Sequence, residues 1–272
     1  MVLAFATLAG GQPIRIGVFS LFKPEEIVIA AAGAPLEIKS DGLTSRLEGA
    51  QSKALRTAAT VTSPSGGPAP FVLSIRGKIR RRFQGTLAIL RNQYYLEAVV
   101  SMDLEDAVAS AVAAEMLPGT PLEAVKAQAV AARSYFAASR SRHVDYNTCD
   151  STHCQFLREM PAPDSLAAQA TRETSGLVLT YQGKPLAALY SASCGGSTHP
   201  LHDGAGSEYP YFAVACEYCR RYRPGLIEGH RYGLCQRGAA GMARAGAGFR
   251  VILSHYYPGT SFFVAYPFRF AS

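Results

Sequence analysis

The chain has 272 residues, of which 48% are hydrophobic and 17% charged, with a formal net charge of +7. This length and composition predict a globular protein that buries a full core, as one large domain or two small ones. The positive charge favours acidic partners, among them nucleic acid, anionic cell-wall polymers and membrane surfaces. No apolar run reaches the roughly 20 residues that cross a bilayer, so we predict no transmembrane segment.

The first 12 residues, MVLAFATLAGGQ, are apolar and rich in small side chains. They lack the positively charged start of a complete secretory signal, so they fit the remnant of a truncated one. A frayed terminus or a first strand fits them equally well.

Residues 13–97 are predicted to be a β-rich region. β-branched residues cluster between Pro and Gly breaks over 13–39, and runs at 71–75, 86–90 and 94–100 indicate an antiparallel β-meander. A solvated strand edge is the favoured interpretation of a run of cationic residues in the meander, and contact with an anionic glycan or polymer is the alternative. The run comprises Arg76, Lys78, Arg80, Arg81 and Arg82.

The central part of the chain carries its longest helical pattern. Residues 104–116, LEDAVASAVAAEM, predict a short helix, and Pro118-Gly119 ends it in a sharp corner. From Pro121 the stretch PLEAVKAQAVAARSYFAASR predicts a helix of about five turns. Glu115 therefore lies on the last turn before the corner, among apolar neighbours.

The remaining chain is predicted to contain a hairpin and a glycine-rich segment. Runs at 177–181 and 186–191 flank a turn at 182–184, and 195–230 is irregular and aromatic. Residues 238–257 predict a helix interrupted by Gly. The predicted class is α+β, with an N-terminal antiparallel β-meander, a central helical core, a β-hairpin and a Gly-rich C-terminal segment.

Four ordered blocks resemble the SpoIID/LytB family of stage II sporulation protein D. They are AAEM followed by EAVKAQAVAARSY, DSTHCQ, LYSASCGGST, and EGHRYGLCQRGAAGMA followed by ILSHYYPGT. The family's PLEDYL and VPSEM read DLEDAV and VAAEM here, and its GHGVG reads GHRYG. The resemblance implies a catalytic region over 98–272 that forms one integrated unit with 13–97. It also implies an extracytoplasmic peptidoglycan lytic transglycosylase, exported by a signal sequence that is truncated here.

Under this resemblance, Glu115 is the catalytic acid and base. Ordinary glycoside hydrolysis needs two carboxylates. In the lytic reaction the muramic 6-hydroxyl is the nucleophile, so one carboxyl suffices and an anhydromuramic end remains. The acid must be protonated near neutral pH, whereas a free Glu has a pKa of about 4.3, so we expect burial to raise it. A close ion pair with Arg133 would lower it, and we therefore predict that Arg133 contacts the substrate instead.

Five further residues are predicted to bind substrate or support the site. Gln128 lies on the helix that follows the corner, and the others come from the resembling blocks: Gln155, Ser193, His230 and Gln236. In isolation His230 is more typical of a structural histidine. Ser193 has no GxSxG frame and is interpreted as a cleft-lining loop residue.

Two groups of side chains are candidate metal ligands. The first is His143, Cys149, His153 and Cys154, whose thiolates and imidazoles are the ligands zinc prefers. A structural zinc would hold the loop that presents Gln155. A Cys149–Cys154 disulfide is the alternative, and a catalytic zinc is less favoured.

The second group is Cys194, Cys216, Cys219 and Cys235, which includes a CxxC pair. In an extracytoplasmic protein these four favour disulfides, and a second zinc site is the rival interpretation.

A second function class stays open: a non-catalytic enhancer that binds and activates a cell-wall amidase, as the resemblance implies for some relatives. The expected partners are peptidoglycan glycan strands and, in that case, the amidase. Nucleic acid is not expected, because no helix-turn-helix, ribonucleoprotein or zinc-finger spacing is present.

Overall fold

The computed structural model describes residues 13–138, 143–201 and 209–264. The predicted α+β class is confirmed, with strands concentrated before the central helices and shorter strands after them. The signal remnant proposed for residues 1–12 lies outside the described residues. Within these ranges no helix is both long and apolar enough to cross a membrane.

The N-terminal half is built from strands with a short 3-10 turn at Ser20–Phe22. The strands are β1 (Ile14–Val18), β2 (Ile27–Ala31), β3 (Leu36–Ser40), β4 (Leu43–Leu47), β5 (Ser52–Leu55), β6 (Ala59–Thr62), β7 (Ala69–Ile75), β8 (Ile79–Arg91) and β9 (Leu96–Met102). The last three run through the predicted meander. Strand β9 has the same length as its predicted run but begins two residues later, and strands β7 and β8 are longer than their predicted runs. The alternating burial along β8 shows why: one face lies on the core and the other meets solvent.

Two helices follow the strands, α1 (Leu104–Glu115) and α2 (Leu122–Ala138). The Asp103 side chain caps α1 by accepting a hydrogen bond of 2.8 Å from the amide of Glu105. After Met116 the chain turns at Gly119, whose φ of 69° suits glycine. Both predicted helices and the corner between them are confirmed.

The C-terminal half consists of short strands and helices. They are β10 (Thr148–Cys149), α3 (Leu166–Glu173), β11 (Leu177–Tyr181), β12 (Lys184–Pro185), β13 (Tyr190–Ser191), β14 (Ser193–Cys194), α4 (Glu217–Tyr222), β15 (Ile227–Glu228), β16 (Leu234–Cys235), α5 (Gln236–Arg244), α6 (Phe249–Tyr256) and β17 (Ser261–Val264). The hairpin turn at 182–183 is confirmed. Its predicted second arm is shorter, because Tyr190–Ser191 pairs with β16 instead of β11.

The main sheet orders its strands β10-β1-β9-β8-β6-β3-β4, with β7, β2 and β5 on a branch from β8. The pairs from β1 to β9 are antiparallel, whereas β10 joins β1 in parallel, with Gly17 opposite Cys149. The β8 strand changes partner at Gly85, from β7 before it to β9 after it. A side chain there would meet the carbonyl oxygen of Ser101 at 2.3 Å, so the crossing requires glycine.

Helix α2 joins two hydrophobic cores. One face packs on the sheet and α1 through Val125, Ala129 and Phe136, and the other packs on β11, α5 and α6 through Ala127 and Val130. Its many alanines let neighbouring elements approach on both faces. The predicted boundary at 97/98 falls inside β9, and the first core takes residues from both sides of it.

Candidate functional site

Glu115 is the last residue of α1, at the corner before α2. The four last carbonyls of a helix lack intrahelical partners. The amide of Gln236, at the start of α5, donates a hydrogen bond of 3.0 Å to the main-chain carbonyl of Glu115. The end of α1 is therefore fixed by a residue from the far end of the chain, which turns the Glu115 carboxyl toward a defined set of neighbours.

The Glu115 carboxyl has the properties of a proton donor. Burial raises its pKa above the usual value, and this effect exceeds the opposing effects of the Tyr190 hydroxyl and the Arg158 guanidinium. The negative end of the α1 dipole also disfavours the carboxylate. Among the described residues Oε2 is buried without a hydrogen-bond partner, and no second carboxylate acts on this pKa. The carboxyl is thus held protonated to a higher pH than a free glutamate.

Tyr190 is the centre of the polar shell around Glu115. Gln155 Nε2 lies 2.5 Å from the Tyr190 hydroxyl. Burial and the proximity of Glu115 raise the pKa of Tyr190, so its hydroxyl stays protonated. Gln128 Nε2 makes no hydrogen bond of normal geometry within the described residues, although its amide is near enough to lower the pKa of Tyr190. Gln128 and Gln155 are thus at the site, as their sequence positions suggested, and their substrate contact stays a prediction.

Sequence reasoning missed Tyr190, although it stands in the block LYSASCGGST. Strand β13 places it beside Leu234 of β16, two residues before Gln236. The approach is close at Gly233, where a side chain would meet the carbonyl oxygen of Leu189 at 2.1 Å and where φ is 64°. The final Gly of GHRYG is therefore required by this close approach. Together with the block around Tyr190, it was a sequence signal that could have indicated the position of Tyr190.

His230 stands at the outer edge of this shell. The amide of Tyr232 donates to His230 Nδ1 at 3.0 Å, and the two rings stack with centroids 5.1 Å apart. Partial burial of the ring lowers the pKa of the imidazole, and a hydrogen bond with the backbone of Tyr190 raises it to a smaller extent. The residue is exposed, so a substrate contact remains a prediction for it. The side-chain amide of Gln236, by contrast, donates to the main-chain carbonyl of Glu115.

Arg133 and Ser193 do not serve the roles predicted for them. The Arg133 side chain is fully buried, with Nη2 2.6 Å from Glu105 Oε2 and further hydrogen bonds to the carbonyls of Thr171 and Leu177. Its donors are consumed within the core, so the prediction of substrate contact is wrong.

Ser193 is likewise fully buried and donates to the carbonyl oxygen of Leu226 at 2.7 Å. Among the described residues it is enclosed by the protein and not exposed in a cleft, and the prediction that it binds substrate is wrong as well. Its hydroxyl instead satisfies a carbonyl beside the second cysteine group.

Arg158 is the cation whose charge lowers the pKa of Glu115. Its guanidinium carbon lies 3.6 Å above the Phe156 ring, and among the described residues no carboxylate pairs with it. It lines a cavity of about 160 Å³ together with Arg81 and Asp150, which form a buried ion pair of 2.7 Å. Arg81 is thus part of the core beside this cavity, which corrects the interpretation of the whole cationic run as a solvated strand edge.

A groove of about 900 Å³ lies between α4, α5 and α6, lined by residues that include Tyr218, Tyr222, Arg221 and Arg244. Glu115 does not line it. The tyrosines of the aromatic segment 195–230 therefore have two different environments, because Tyr209 and Tyr211 are buried in the second core instead.

The first candidate metal group is assembled in the structure. His143 Nε2 lies 3.4 Å from Cys154 Sγ, and His153 Nδ1 lies 3.7 Å from Cys149 Sγ and 3.3 Å from Cys154 Sγ. A tetrahedral zinc with two thiolate and two imidazole ligands sets such S···N separations at about 3.5 Å. The adjacent residues His153 and Cys154 both reach the centre, so all four side chains could hold one metal ion. The Cys149–Cys154 disulfide is not formed.

The second group, the four-cysteine cluster, is Cys194, Cys216, Cys219 and Cys235. All four are buried free thiols, and their sulfurs lie within 4.8 Å of one another. This group could also hold a metal ion, whereas the disulfides that the sequence favoured are not formed.

Comparison with known proteins matches part of this chain to a known family. A family model described as stage II sporulation protein, SpoIID, matches residues 92–181, which include α1, α2, α3 and the first metal group. An uncharacterized protein of Brachyspira hyodysenteriae is 31% identical over 132 residues, which cover 47% of this chain and 36% of that relative. The chain thus spans about a third of the length of the curated relative it matches.

Proposed function

We propose, from the match of residues 92–181 to the SpoIID family model, that the protein is a peptidoglycan lytic transglycosylase with Glu115 as its acid and base. Proteins of this family are associated with the cell wall and with sporulation. The observation that carries the finer proposal is the Glu115 carboxyl. Its pKa is raised, and within the described ranges one of its oxygens is buried without a hydrogen-bond partner and no second carboxylate acts on its pKa.

The reaction begins with a proton donated by Glu115 to the oxygen between muramic acid and glucosamine. The glycosidic bond breaks as that oxygen leaves, and the anomeric carbon develops positive charge. The carboxylate of Glu115 then accepts the proton of the muramic 6-hydroxyl while its oxygen bonds to the anomeric carbon. The acid is regenerated and water takes no part, which is why a single carboxyl is enough.

Tyr190, Gln155 and Gln128 supply the polar surroundings of this proton transfer. The Tyr190 hydroxyl, held by Gln155, steadies the carboxylate that forms after donation, because it acts to lower the Glu115 pKa. The Gln128 Nε2 has no hydrogen-bond partner of normal geometry among the described residues, and it would donate to a substrate oxygen, such as that of an acetamido group. His230 is the outer substrate contact in this arrangement.

The first metal group supports the site through the loop that carries Gln155. Its two thiols and two imidazoles fit Zn²⁺, which would hold residues 143–154 as a closed structural site. The proposed zinc would therefore hold the loop in shape and would take no part in the proton transfers. The protein would act outside the cytoplasm, where peptidoglycan lies.

The test is to incubate the purified chain with glycan strands stripped of peptides and to search the products by mass for anhydromuramic ends. Glu115→Gln is expected to abolish them and to retain glycan binding, whereas Glu159→Gln, an exposed matched control, should cleave normally. Substantial cleavage by Glu115→Gln would remove it from the acid role. Binding without cleavage by the wild type would contradict the proposal and favour the amidase enhancer, which adding an amidase would then reveal.

A further inference from the structure

The four-cysteine cluster has the geometry of a closed metal site. Cys219 Sγ lies 3.5 Å from Cys235 Sγ, far longer than a disulfide bond, and each of the four residues is at most 2% exposed. A tetrahedral zinc with four thiolates sets S···S separations at about 3.8 Å. Thiols this inaccessible are poorly placed for exchange with a redox partner, so a disulfide-exchange role is disfavoured.

The backbone around the sulfurs is arranged to support thiolates. The amide of Gly238 donates to Cys235 Sγ at 3.4 Å. Gly195 and Gly196 have φ of 72° and 130°, which lets the chain fold over the cluster directly after Cys194. Such amide-to-sulfur hydrogen bonds offset the charge of buried thiolates.

Side chains complete this surrounding shell. Tyr256 Oη lies 3.4 Å from Cys216 Sγ and Ser193 Oγ lies 3.8 Å from Cys219 Sγ. Polar partners around the sulfurs are typical of a metal centre. Four uncharged thiols in an apolar core would not need them.

We propose that the four-cysteine cluster binds a second zinc ion, independent of the first metal group. Four thiolates in a tetrahedral arrangement favour zinc or an iron–sulfur cluster, and the cluster offers one set of four sulfurs around a single centre. Binding depends only on these residues. It does not require that the chain cleave glycan.

The position of the cluster gives this zinc a structural consequence. Cys235 is the N-cap of α5, and Gln236 directly after it holds the carbonyl of Glu115. On its other side Leu234 pairs with Tyr190. Zinc would therefore fix both Gln236 and Tyr190 against the end of α1, and this part of the inference rests on the proposed function.

Metal analysis of the full chain, purified without added zinc, tests the proposal. We expect about two zinc ions per chain in the wild type and about one in each of two variants, Cys219→Ser and His153→Ala. The His153→Ala variant is the matched control, because it disables the first metal group alone. A zinc-free His153→Ala protein, iron in place of zinc, or disulfides among these four cysteines in the native protein would overturn the proposal.

A second measurement keeps the test valid if Cys219→Ser fails to fold. The wild type is reconstituted with Co²⁺, and its sulfur-to-metal absorption is compared with that of reconstituted His153→Ala. We expect strong absorption to persist in the variant, because four thiolates remain bound. Its loss would overturn the proposal, whether or not the protein cleaves glycan.

Hydrogen exchange then tests the structural consequence. Removal of zinc from His153→Ala should increase exchange in α5 and β16 and leave α3 unchanged. Unchanged exchange in α5 would show that the second ion does not hold Gln236.

Discussion

The side-chain amide of Gln236 donates a hydrogen bond to the main-chain carbonyl of Glu115, a residue 121 positions earlier in the chain. This contact joins the start of α5 to the end of α1. It fixes the direction in which the candidate acid leaves its helix. Because Gln236 is buried and its amide is used in this way, we assign it to positioning Glu115.

Gln236→Ala is expected to lower kcat about 5-fold and to leave KM unchanged. Loss of one buried hydrogen bond costs about 1 kcal/mol, which corresponds to roughly that factor when it acts on the transition state. Steady-state kinetics on peptide-free glycan measures both constants. Gln169→Ala is the control, since the side-chain amide of Gln169 donates to Glu173 on α3 and not to Glu115. A raised KM with normal kcat would instead mean that Gln236 binds substrate, as its sequence block first suggested.

The pH profile of cleavage should report the surroundings of Glu115. Arg158 lowers the pKa of this carboxyl, so Arg158→Gln should raise it further. Since the protonated form donates, activity is lost as pH rises through this pKa, and the alkaline limb of kcat/KM should move to higher pH in the variant. Tyr190→Phe should shift the limb in the same direction, because the Tyr190 hydroxyl also lowers the pKa.

Arg220→Gln is the charge-matched control for this measurement. Arg220 is exposed and pairs with Glu217 on α4, so its loss should leave the profile unchanged. A limb that moves to lower pH in Arg158→Gln, or does not move, would show that Glu115 is not the titrating acid.

Local pattern was sufficient to predict the frame of the site and insufficient for its polar contacts. The spacing of alanine and valine, with Pro118-Gly119 between two helical runs, placed Glu115 at a helix end. Arg133 looked equally suited to the site from its helix position. Its true partners, Glu105 and the carbonyls of Thr171 and Leu177, come together only through tertiary packing, which no spacing reveals.

The same reason explains the other differences. Strand β10 has two residues, too few for a periodic signal, yet it carries Cys149 into the main sheet. Tyr190 could not be recognised from the sequence, because most of the other tyrosines in this half of the chain are core residues. Ser193 is in a resembling block but faces the second core, since alternate residues of an extended segment point to opposite sides.

Arg133→Met is expected to destabilise the protein by about 3–5 kcal/mol, because it leaves Glu105 without its buried partner. Denaturant unfolding measures this loss. The double variant Glu105→Leu/Arg133→Met should recover much of it, since no charge then remains unpaired. The folded fraction should keep the wild-type KM for glycan, and a raised KM without loss of stability would restore the substrate role.

Asp106, in the first turn of α1, should make stability depend on pH. Burial first, then the charges of Asp103 and Glu105, raise the pKa of its carboxyl from 3.8 to about 6. Folding therefore favours the protonated form. Its stabilising contribution is complete below the unfolded pKa and is lost as pH rises through about 6.

Asp106→Asn removes this titration, because the amide stays neutral at every pH. Since the carboxyl is partly exposed, we expect a gain of only about 1 kcal/mol above pH 6, or about 2–4 °C in Tm, and little change below pH 4. Thermal unfolding at a series of pH values measures the difference, with the exposed Asp164→Asn as control. A gain confined to acid pH would mean that the folded protein prefers the Asp106 carboxylate, and the assignment of burial as the dominant effect would then be wrong.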